Sequence, residues 1–141
     1  MTLAATREDL EQVLASARFN SYFRFRVAAI GAGECTLDVG FHEAFERPGG
    51  VVSGPVFMAA ADAATWLAIL TRRGTAEMWV TADFGTAFLR AARAERFTCR
   101  ARILKLGRQL AYGVAECVRA DGAILTHHTV TYARAGTDVS P

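Results

Sequence analysis

The first twenty residues carry apolar side chains at helical spacing within an otherwise polar segment. Leu10, Val13 and Leu14 fall on one face, which predicts a short amphipathic helix over about residues 6–17. Thr6 and Asp9 have the spacing of a capping box, with Asp in place of the usual Glu. We therefore expect this helix to carry its own N-terminal cap.

Two runs rich in β-branched and aromatic residues follow, over residues 22–30 and 33–41. Gly31 and Gly33 lie in the link between them, and glycine is favoured in turns because it has no Cβ to clash. Two such runs joined by a short glycine-containing link indicate an antiparallel hairpin.

The longest apolar stretch is PGGVVSGPVFMAAADAATWLAIL, residues 48–70. Its glycines and prolines predict a loop, after which Ser53 or Gly54 can cap a helix that holds Pro55 in its first turn. Alanine, leucine and methionine then favour a central helix over about residues 54–72, ended by Gly74. This helix is apolar almost all round, so it should be buried against a sheet.

A membrane-spanning helix is the competing interpretation of this stretch, since roughly 20 apolar residues can cross a bilayer. The Gly-Pro break and the charge of Asp62 in the middle of the stretch both oppose that interpretation. The rest of the chain has the pattern of soluble strands. We therefore expect no membrane insertion.

After Gly74 the pattern changes to strands. Four strand-like runs cover residues 78–89, 97–106, 110–118 and 124–132, and the links between them are short and turn-like. Short links place consecutive strands antiparallel. The chain is thus predicted to be one α+β domain over residues 1–141, with one long helix against an antiparallel sheet and a frayed tail at 136–141.

Composition narrows the functional classes. The chain has 141 residues, enough for one core, and 52% are hydrophobic, which favours an oligomer that hides apolar surface. The net charge is +2 without a block of like charges, so nothing indicates nucleic-acid binding. The N-terminal segment lacks the apolar region of a signal peptide, which predicts a cytoplasmic protein.

Cysteine and histidine residues are spaced unlike metal ligands. Cys35, Cys99 and Cys117 form no CxxC pair, and we expect buried free thiols in a reducing compartment. We predict no metal and no redox cofactor. The histidines are predicted to be ordinary residues: His42, His127 and His128.

Asp62 is the one charged residue between Arg47 and Arg72. A carboxylate in an apolar segment is unfavourable to bury unless hydrogen bonds or charges pair with it. Two interpretations follow. Asp62 is either a structural carboxylate, bonded to Thr65 or to a neighbouring strand, or a residue kept for chemistry.

The order β-β-α-β-β-β-β with a buried helix resembles the hotdog fold, an antiparallel sheet wrapped around one long central helix. The residues resemble the PaaI-like, 4-hydroxybenzoyl-CoA thioesterase-like branch of the acyl-CoA thioesterases. The resemblance spans residues 22–132, nearly the whole chain. Its carriers are PGGVVSGPVFMAAAD, VTADFGTAFLRAA, ILKLGRQLAYGVAECVRADG and the terminal TVTYA.

The resemblance implies roles for specific residues. Gly54 matches the glycine whose N–H polarises the thioester carbonyl, and Asp62 matches the general base or nucleophile. Thr81 matches a hydroxyl residue that helps to place the attacking water, and Gly50 matches a glycine of the motif ahead of the helix.

The motif ahead of the helix departs from the family pattern at three positions. Arg47 stands where the family has Asn, Ser53 where it has His, and Pro55 where it has a second Gly. The result is a Ser-Gly-Pro variant of His-Gly-Gly. Because proline has no N–H, only Gly54 or Val56 could donate to an oxyanion here.

The spacing of the two main candidates implies a shared site. Gly54 and Asp62 are eight residues apart on one helix, which separates them by roughly 12 Å. One thioester group cannot touch both, so the site needs Gly54 from one protomer and Asp62 from another. Hotdog proteins resemble this arrangement, and we expect a homodimer, assembled further as a dimer of dimers.

Substrate binding is expected to involve two further groups of residues. Aromatic and thioether side chains would line the acyl pocket: Phe57, Met58 and Trp66. Cations near strand ends could hold the phosphates of coenzyme A. These are Arg90, Arg93, Lys105 and Arg108.

The predicted function is hydrolysis of an acyl-CoA with a medium-chain or aromatic acyl group, with coenzyme A entering only as part of the substrate. A hydratase or dehydratase of the same fold is a second interpretation, although no His stands near Asp62. A third is a non-catalytic acyl-CoA-binding protein, which the replacements at Arg47 and Ser53 motivate.

Overall fold

The computed structural model describes residues 2–136. Helix α1 spans Arg7–Ser16, within one residue of the predicted bounds at each end. The capping box is confirmed: Thr6 Oγ1 accepts from the Asp9 N–H at 3.1 Å, and Asp9 Oδ2 accepts from the Thr6 N–H at 2.9 Å. Leu10 and Leu14 are the buried residues of the apolar face.

The first predicted strand begins later than its composition suggested. Residues Asn20–Phe23 form a short helix, α2, and strand β1 covers only Arg26–Gly31. The Asn20 side chain explains this, because its Oδ1 accepts from the Phe25 N–H and its Nδ2 donates to the Phe25 carbonyl, at 2.8 and 3.1 Å. This pair of bonds closes a turn where an extended chain was predicted. Strand β2, Glu34–Val39, pairs antiparallel with β1 as expected.

Short elements lead into the central helix. A 3-10 turn at Glu43–Phe45 is followed by the two-residue strands β3, Glu46–Arg47, and β4, Val51–Val52, which pair with each other. Helix α3 then runs over Gly54–Arg73. It ends at Gly74, whose φ of +80° is a left-handed value that favours glycine.

The four predicted C-terminal strands are present: β5, Trp79–Phe88; β6, Phe97–Leu106; β7, Leu110–Val118; and β8, Ile124–Arg134. With β1 and β2 they form one six-stranded sheet in the order β1-β2-β6-β7-β8-β5. Every pairing is antiparallel. The sheet packs around α3, which confirms the predicted α+β hotdog fold.

The core lies between α3 and the inner face of the sheet. Leu67 and Ile69 of the helix and Leu37 and Leu125 of the strands are fully buried there. The three cysteines are buried and free, as expected. Burial raises the pKa of the Cys35 thiol to about 12.

Helix α3 has the length and mean hydropathy, 1.3, of a membrane span, and within residues 2–136 no other helix does. About two thirds of this segment, 67%, is buried in the fold. This burial is what a core helix requires. Of the predicted frayed tail, residues 137–141 lie outside the described residues.

Candidate active site

The Asp62 carboxylate is held from the sheet. Thr81 Oγ1 donates to Asp62 Oδ1 at 2.7 Å, and the Tyr132 hydroxyl donates to the same oxygen at 2.7 Å. The Tyr132 hydroxyl also lies 2.9 Å from the Asp62 main-chain carbonyl oxygen. Within residues 2–136, both donors to the carboxylate meet Oδ1, and no donor within hydrogen-bond distance meets Oδ2. Asp62 is only partly buried.

The structural alternative for Asp62 is thus half right. Thr65 is not its partner, because the Thr65 hydroxyl donates to the Ala61 carbonyl at 2.8 Å, one helical turn back. The partners come instead from two strands of the sheet. A carboxylate bonded in this way is fixed in orientation and still has an oxygen available for chemistry.

Strand register brings the two donors together. Thr81 on β5 and Tyr132 on β8 are direct cross-strand partners, and the register shifts between Thr81 and Asp83. Such a bulge re-aims side chains and is common next to active sites. Tyr132 was not predicted as a site residue. The signal that could have found it is a tyrosine on the buried face of the last strand, because a buried hydroxyl needs a partner.

Tyr132 keeps its proton. Its side chain is 4% exposed. Burial raises the pKa of Tyr132 far above its ordinary value, and the charge of Asp62 raises it further. The phenol is therefore a hydrogen-bond donor throughout the physiological pH range.

An apolar cavity of about 470 Å³ opens onto Asp62. Trp66 lines it, as predicted for the acyl pocket, whereas Phe57 and Met58 do not. Phe57 instead lines a second cavity, at the start of the helix, and stacks on Phe97. Half of the residues that line the cavity at Asp62 are aromatic: Phe19, Phe23, Trp66, Trp79 and Tyr132.

Of residues 53–56, at the start of helix α3, only Gly54 has a free N–H in the described structure. The Ser53 N–H donates to the Phe45 carbonyl at 2.7 Å, Pro55 has none, and the Val56 N–H donates to the Ser53 carbonyl at 3.1 Å. In the described part of the chain, no acceptor meets the N–H of Gly54. Of the two donors that the sequence left open, Gly54 is thus available and Val56 is not.

Gly54 lies in a second cavity, of about 420 Å³, at the helix start. Arg47 and Arg90 line it, so two cations lie close to a helix N-terminus. A Cβ on Gly54 would come within 3.3 Å of the Phe88 ring, which explains why glycine fits here. Gly50 adopts φ +75° in the turn between β3 and β4, where its N–H donates to Arg47.

The two cavities are separate within one protomer. Among the described residues they share no lining residue. Eight residues of helix, roughly 12 Å, separate Gly54 from Asp62. The predicted site residues therefore fall into two half-sites, one at Asp62 and one at Gly54. Met58 lines neither half-site.

The four cations predicted to bind phosphates do not gather within one protomer. Arg90 lines the Gly54 half-site, and Arg93 lies beside it through its bridge to Val51. Lys105 and Arg108 lie towards the other end of α3, because Arg73 at that end donates to Gly107 at 3.0 Å. The helix is 20 residues long, so the two pairs are roughly 30 Å apart along its axis.

The histidines have local partners. His128 is fully buried between the Thr86 and Thr126 hydroxyls at 2.9 and 2.7 Å. His127 pairs with Glu116 at 3.0 Å, and His42 accepts from the Ala44 N–H. Within residues 2–136, no group of three or more His, Cys, Asp or Glu side chains is arranged to hold a metal ion.

Comparison with known proteins identifies the family. The family model described as the thioesterase superfamily matches residues 49–126, more than half of the chain. The chain belongs to the thioesterase superfamily. The matched segment contains Gly54, Asp62 and Thr81, and ends before Tyr132.

Individual relatives agree with this superfamily membership. A solved structure from Silicibacter sp. TM1040, described as a "putative thioesterase", is 30% identical, with 96% of each chain covered and a TM-score of 0.86. A Thermoplasma acidophilum protein named "Putative esterase" is 27% identical over 89% of this chain and 94% of its own. The Haemophilus influenzae thioesterase HI1161, at 21% identity and 96% coverage of each chain, has the same fold with a TM-score of 0.86. Thioester hydrolysis is the general chemistry that these findings support.

Proposed function

We propose that the protein hydrolyses acyl-CoA thioesters at a site completed by two protomers. Asp62 of one protomer activates the water, or attacks the thioester carbonyl itself, and the Gly54 N–H of the other binds the oxyanion. The observation that carries this proposal is the arrangement of two groups along α3. The Asp62 carboxylate is oriented and keeps Oδ2 free, and the Gly54 N–H is free at the helix start.

The chemistry follows from the two half-sites. As a general base, Asp62 takes a proton from water while the water oxygen attacks the thioester carbon. The negative charge that develops on the carbonyl oxygen is stabilised by the Gly54 N–H and the positive end of the helix dipole. The C–S bond then breaks, the acid is released, and the coenzyme A thiolate takes up a proton. Direct attack forms an anhydride between Asp62 and the acyl group. ¹⁸O in the Asp62 carboxylate after a single turnover in ¹⁸O-water would establish that route, because general-base attack puts label only into the product acid.

The open edge of the sheet supports a dimer. The β1 edge is covered by α1, whose Arg7 donates to the Val27 carbonyl at 2.8 Å. The β5 edge is long and bare, and it exposes Val80 at 43% and Phe88 at 55%. A long apolar edge strand is a template for pairing with another chain. Thr81 lies on this edge, so a second copy docked there would border the Asp62 half-site.

The lining of the half-sites supports the substrate class. The cavity at Asp62 is aromatic and of a size that suits a medium-chain or aromatic acyl group. Arg47 and Arg90 bring positive charge to the Gly54 half-site, where the phosphates of coenzyme A would be favoured. Exposed apolar side chains on the outer face of the sheet would serve the second interface of a dimer of dimers, in a cytoplasmic protein: Leu104 and Leu110.

The test is release of free thiol from short, medium, long and aromatic acyl-CoAs. We expect turnover by the wild type and a loss of about 10³-fold or more in Asp62→Asn, since the base is removed while the shape is kept. Asp121→Asn is the matched control, because Asp121 is exposed in the β7–β8 turn and paired with Arg119. It should turn over like the wild type.

Two results would contradict the proposal: no turnover on any acyl-CoA, or full turnover by a folded Asp62→Asn dimer. The first result, joined to a thermal shift with coenzyme A, would instead support the acyl-CoA-binding protein. One observation favours that second function, namely that Pro55 and the Ser53–Phe45 bond leave only one oxyanion donor at the helix start.

A further inference from the structure

We propose that Tyr132 is a positioning residue, which holds the Asp62 carboxylate in the orientation that thioester hydrolysis needs. This inference rests on the proposed function. Tyr132 lies beyond the segment that the family model matches.

The Tyr132 hydroxyl contacts two oxygens of Asp62. The Tyr132 oxygen lies 2.7 Å from Asp62 Oδ1 and 2.9 Å from the Asp62 main-chain oxygen, so it bridges the side chain and the helix backbone. A carboxylate on a helix rotates about χ1 and χ2 unless something fixes it. The single phenolic proton of Tyr132 is shared between these two acceptors, and the shorter contact, to Oδ1, restrains the carboxylate.

The two donors to Asp62 differ in burial and in the position of their strands in the sheet. Thr81 sits on the edge strand β5, and its residue is exposed. Tyr132 sits on β8, which is paired on both sides, with β7 and with β5, and it is nearly fully buried. Within one protomer, the tyrosine is therefore the donor on the more rigid element, whereas β5 gains a second neighbour only when another copy docks on its edge. A site is most precise when its supporting side chains are locked by packing.

The two donors bond to the same carboxylate oxygen of Asp62. Both meet Oδ1 and leave Oδ2 without a donor among residues 2–136, and Asp62 lines the aromatic cavity. Burial and the Asp62 charge both raise the pKa of Tyr132, so the phenol stays a donor and does not compete as a base. The arrangement assigns one carboxylate oxygen to orientation and leaves the other to meet water or substrate.

The variant that isolates this role is Tyr132→Phe, which removes one oxygen and keeps the ring. We expect kcat on the best acyl-CoA to fall by about 10- to 100-fold, because one charge-assisted hydrogen bond is lost. KM should stay within about twofold, since the ring still packs. Thr81→Val should also lower kcat. The double variant should lose less than the product of the two single losses, because both donors act on one oxygen.

Tyr112→Phe is the matched control. Tyr112 lies on β7 in the same sheet but is exposed, at 41%, on the outer face. It should leave kcat, KM and the melting temperature unchanged. A second readout does not depend on turnover: the carboxyl ¹³C resonance of Asp62, assigned by its absence in Asp62→Asn. That resonance should move in Tyr132→Phe and stay in place in Tyr112→Phe.

The outcomes separate the two proposals. If the wild type releases no thiol, the proposed function fails, while the ¹³C resonance still tests the contact. If the wild type turns over and folded Tyr132→Phe matches it in kcat, only the role of Tyr132 is overturned. If Tyr132→Phe does not fold, 3-fluorotyrosine at this position keeps the ring and the hydroxyl but strengthens the donor. An unchanged kcat in that protein would also overturn the role.

Discussion

The two half-sites of helix α3 are built in different ways. At Asp62, side chains from three elements converge: the carboxylate from α3, Thr81 from β5 and Tyr132 from β8. At Gly54, the candidate group is the main-chain N–H. It is free because no acceptor meets it in the described part of the chain. The N–H groups of Ser53 and Val56 donate to carbonyls, and Pro55 has no N–H.

The two half-sites therefore place different requirements on the sequence. A carboxylate in an apolar cleft needs donors, and those donors must be supplied by distant residues in the correct register. A free N–H needs only a helix start that leaves it without an acceptor. We therefore expect the Asp62 half-site to be sensitive to side-chain changes in the sheet. The Gly54 half-site should be sensitive to backbone changes at one residue.

The strongest way to test the backbone half is Gly54→Pro, which removes the N–H at a position where proline suits a first helical turn. We expect kcat to fall by about 10²- to 10³-fold, as for loss of one oxyanion donor. The measurement is thiol release on the substrate that the wild type prefers. The melting temperature should change little, because Gly54 N–H bonds to no acceptor in the described structure.

Gly54→Ala is the control for crowding. It keeps the N–H but places a Cβ at 3.3 Å from the Phe88 ring, a contact that a small shift of the ring relieves. We expect a loss of less than about tenfold, since the oxyanion donor remains. Equal losses in the two variants would mean that packing against Phe88, and not the N–H, explains the effect.

A mixing experiment tests whether the halves come from different protomers. Asp62→Asn and Gly54→Pro homodimers should each be nearly inactive. A mixed dimer holds one site with both native groups, so random exchange of subunits should restore about one quarter of wild-type activity. A site contained in one chain would restore none, and that result would contradict the shared site.

The same contrast explains what the sequence could predict. The bounds of α3 and the presence of the six sheet strands follow from local patterns. Gly54 and Asp62 could be named as candidates from the same patterns and the family resemblance. Tyr132 was missed because its role depends on pairing between β5 and β8, and register is a long-range property. The start of β1 was misplaced because the Asn20 side chain, not strand propensity, decides that turn.

The separation of the phosphate-binding candidates could have been predicted from the sequence. Arg90 and Arg93 precede the strand predicted at residues 97–106, whereas Lys105 and Arg108 lie at its end. A ten-residue strand spans roughly 30 Å, so it holds the two pairs at opposite ends. Their shared position near strand ends therefore did not imply one cluster.

Ser53→Ala should have a smaller effect than the other variants. It tests whether the Gly54 half-site depends on a side chain as well as on the main-chain N–H. Ser53 stands where the family has His and occupies the N-cap position of α3, yet its side chain makes no cap hydrogen bond. Its contribution here is its N–H to Phe45 and its carbonyl to Val56, both of which alanine keeps. We expect kcat to change by less than about threefold and stability by less than about 0.5 kcal/mol, below the usual loss for a capping serine. Thiol release and urea unfolding measure the two. A loss of tenfold or more in kcat would show that the hydroxyl acts on substrate, and the Gly54 half-site would then depend on a side chain after all.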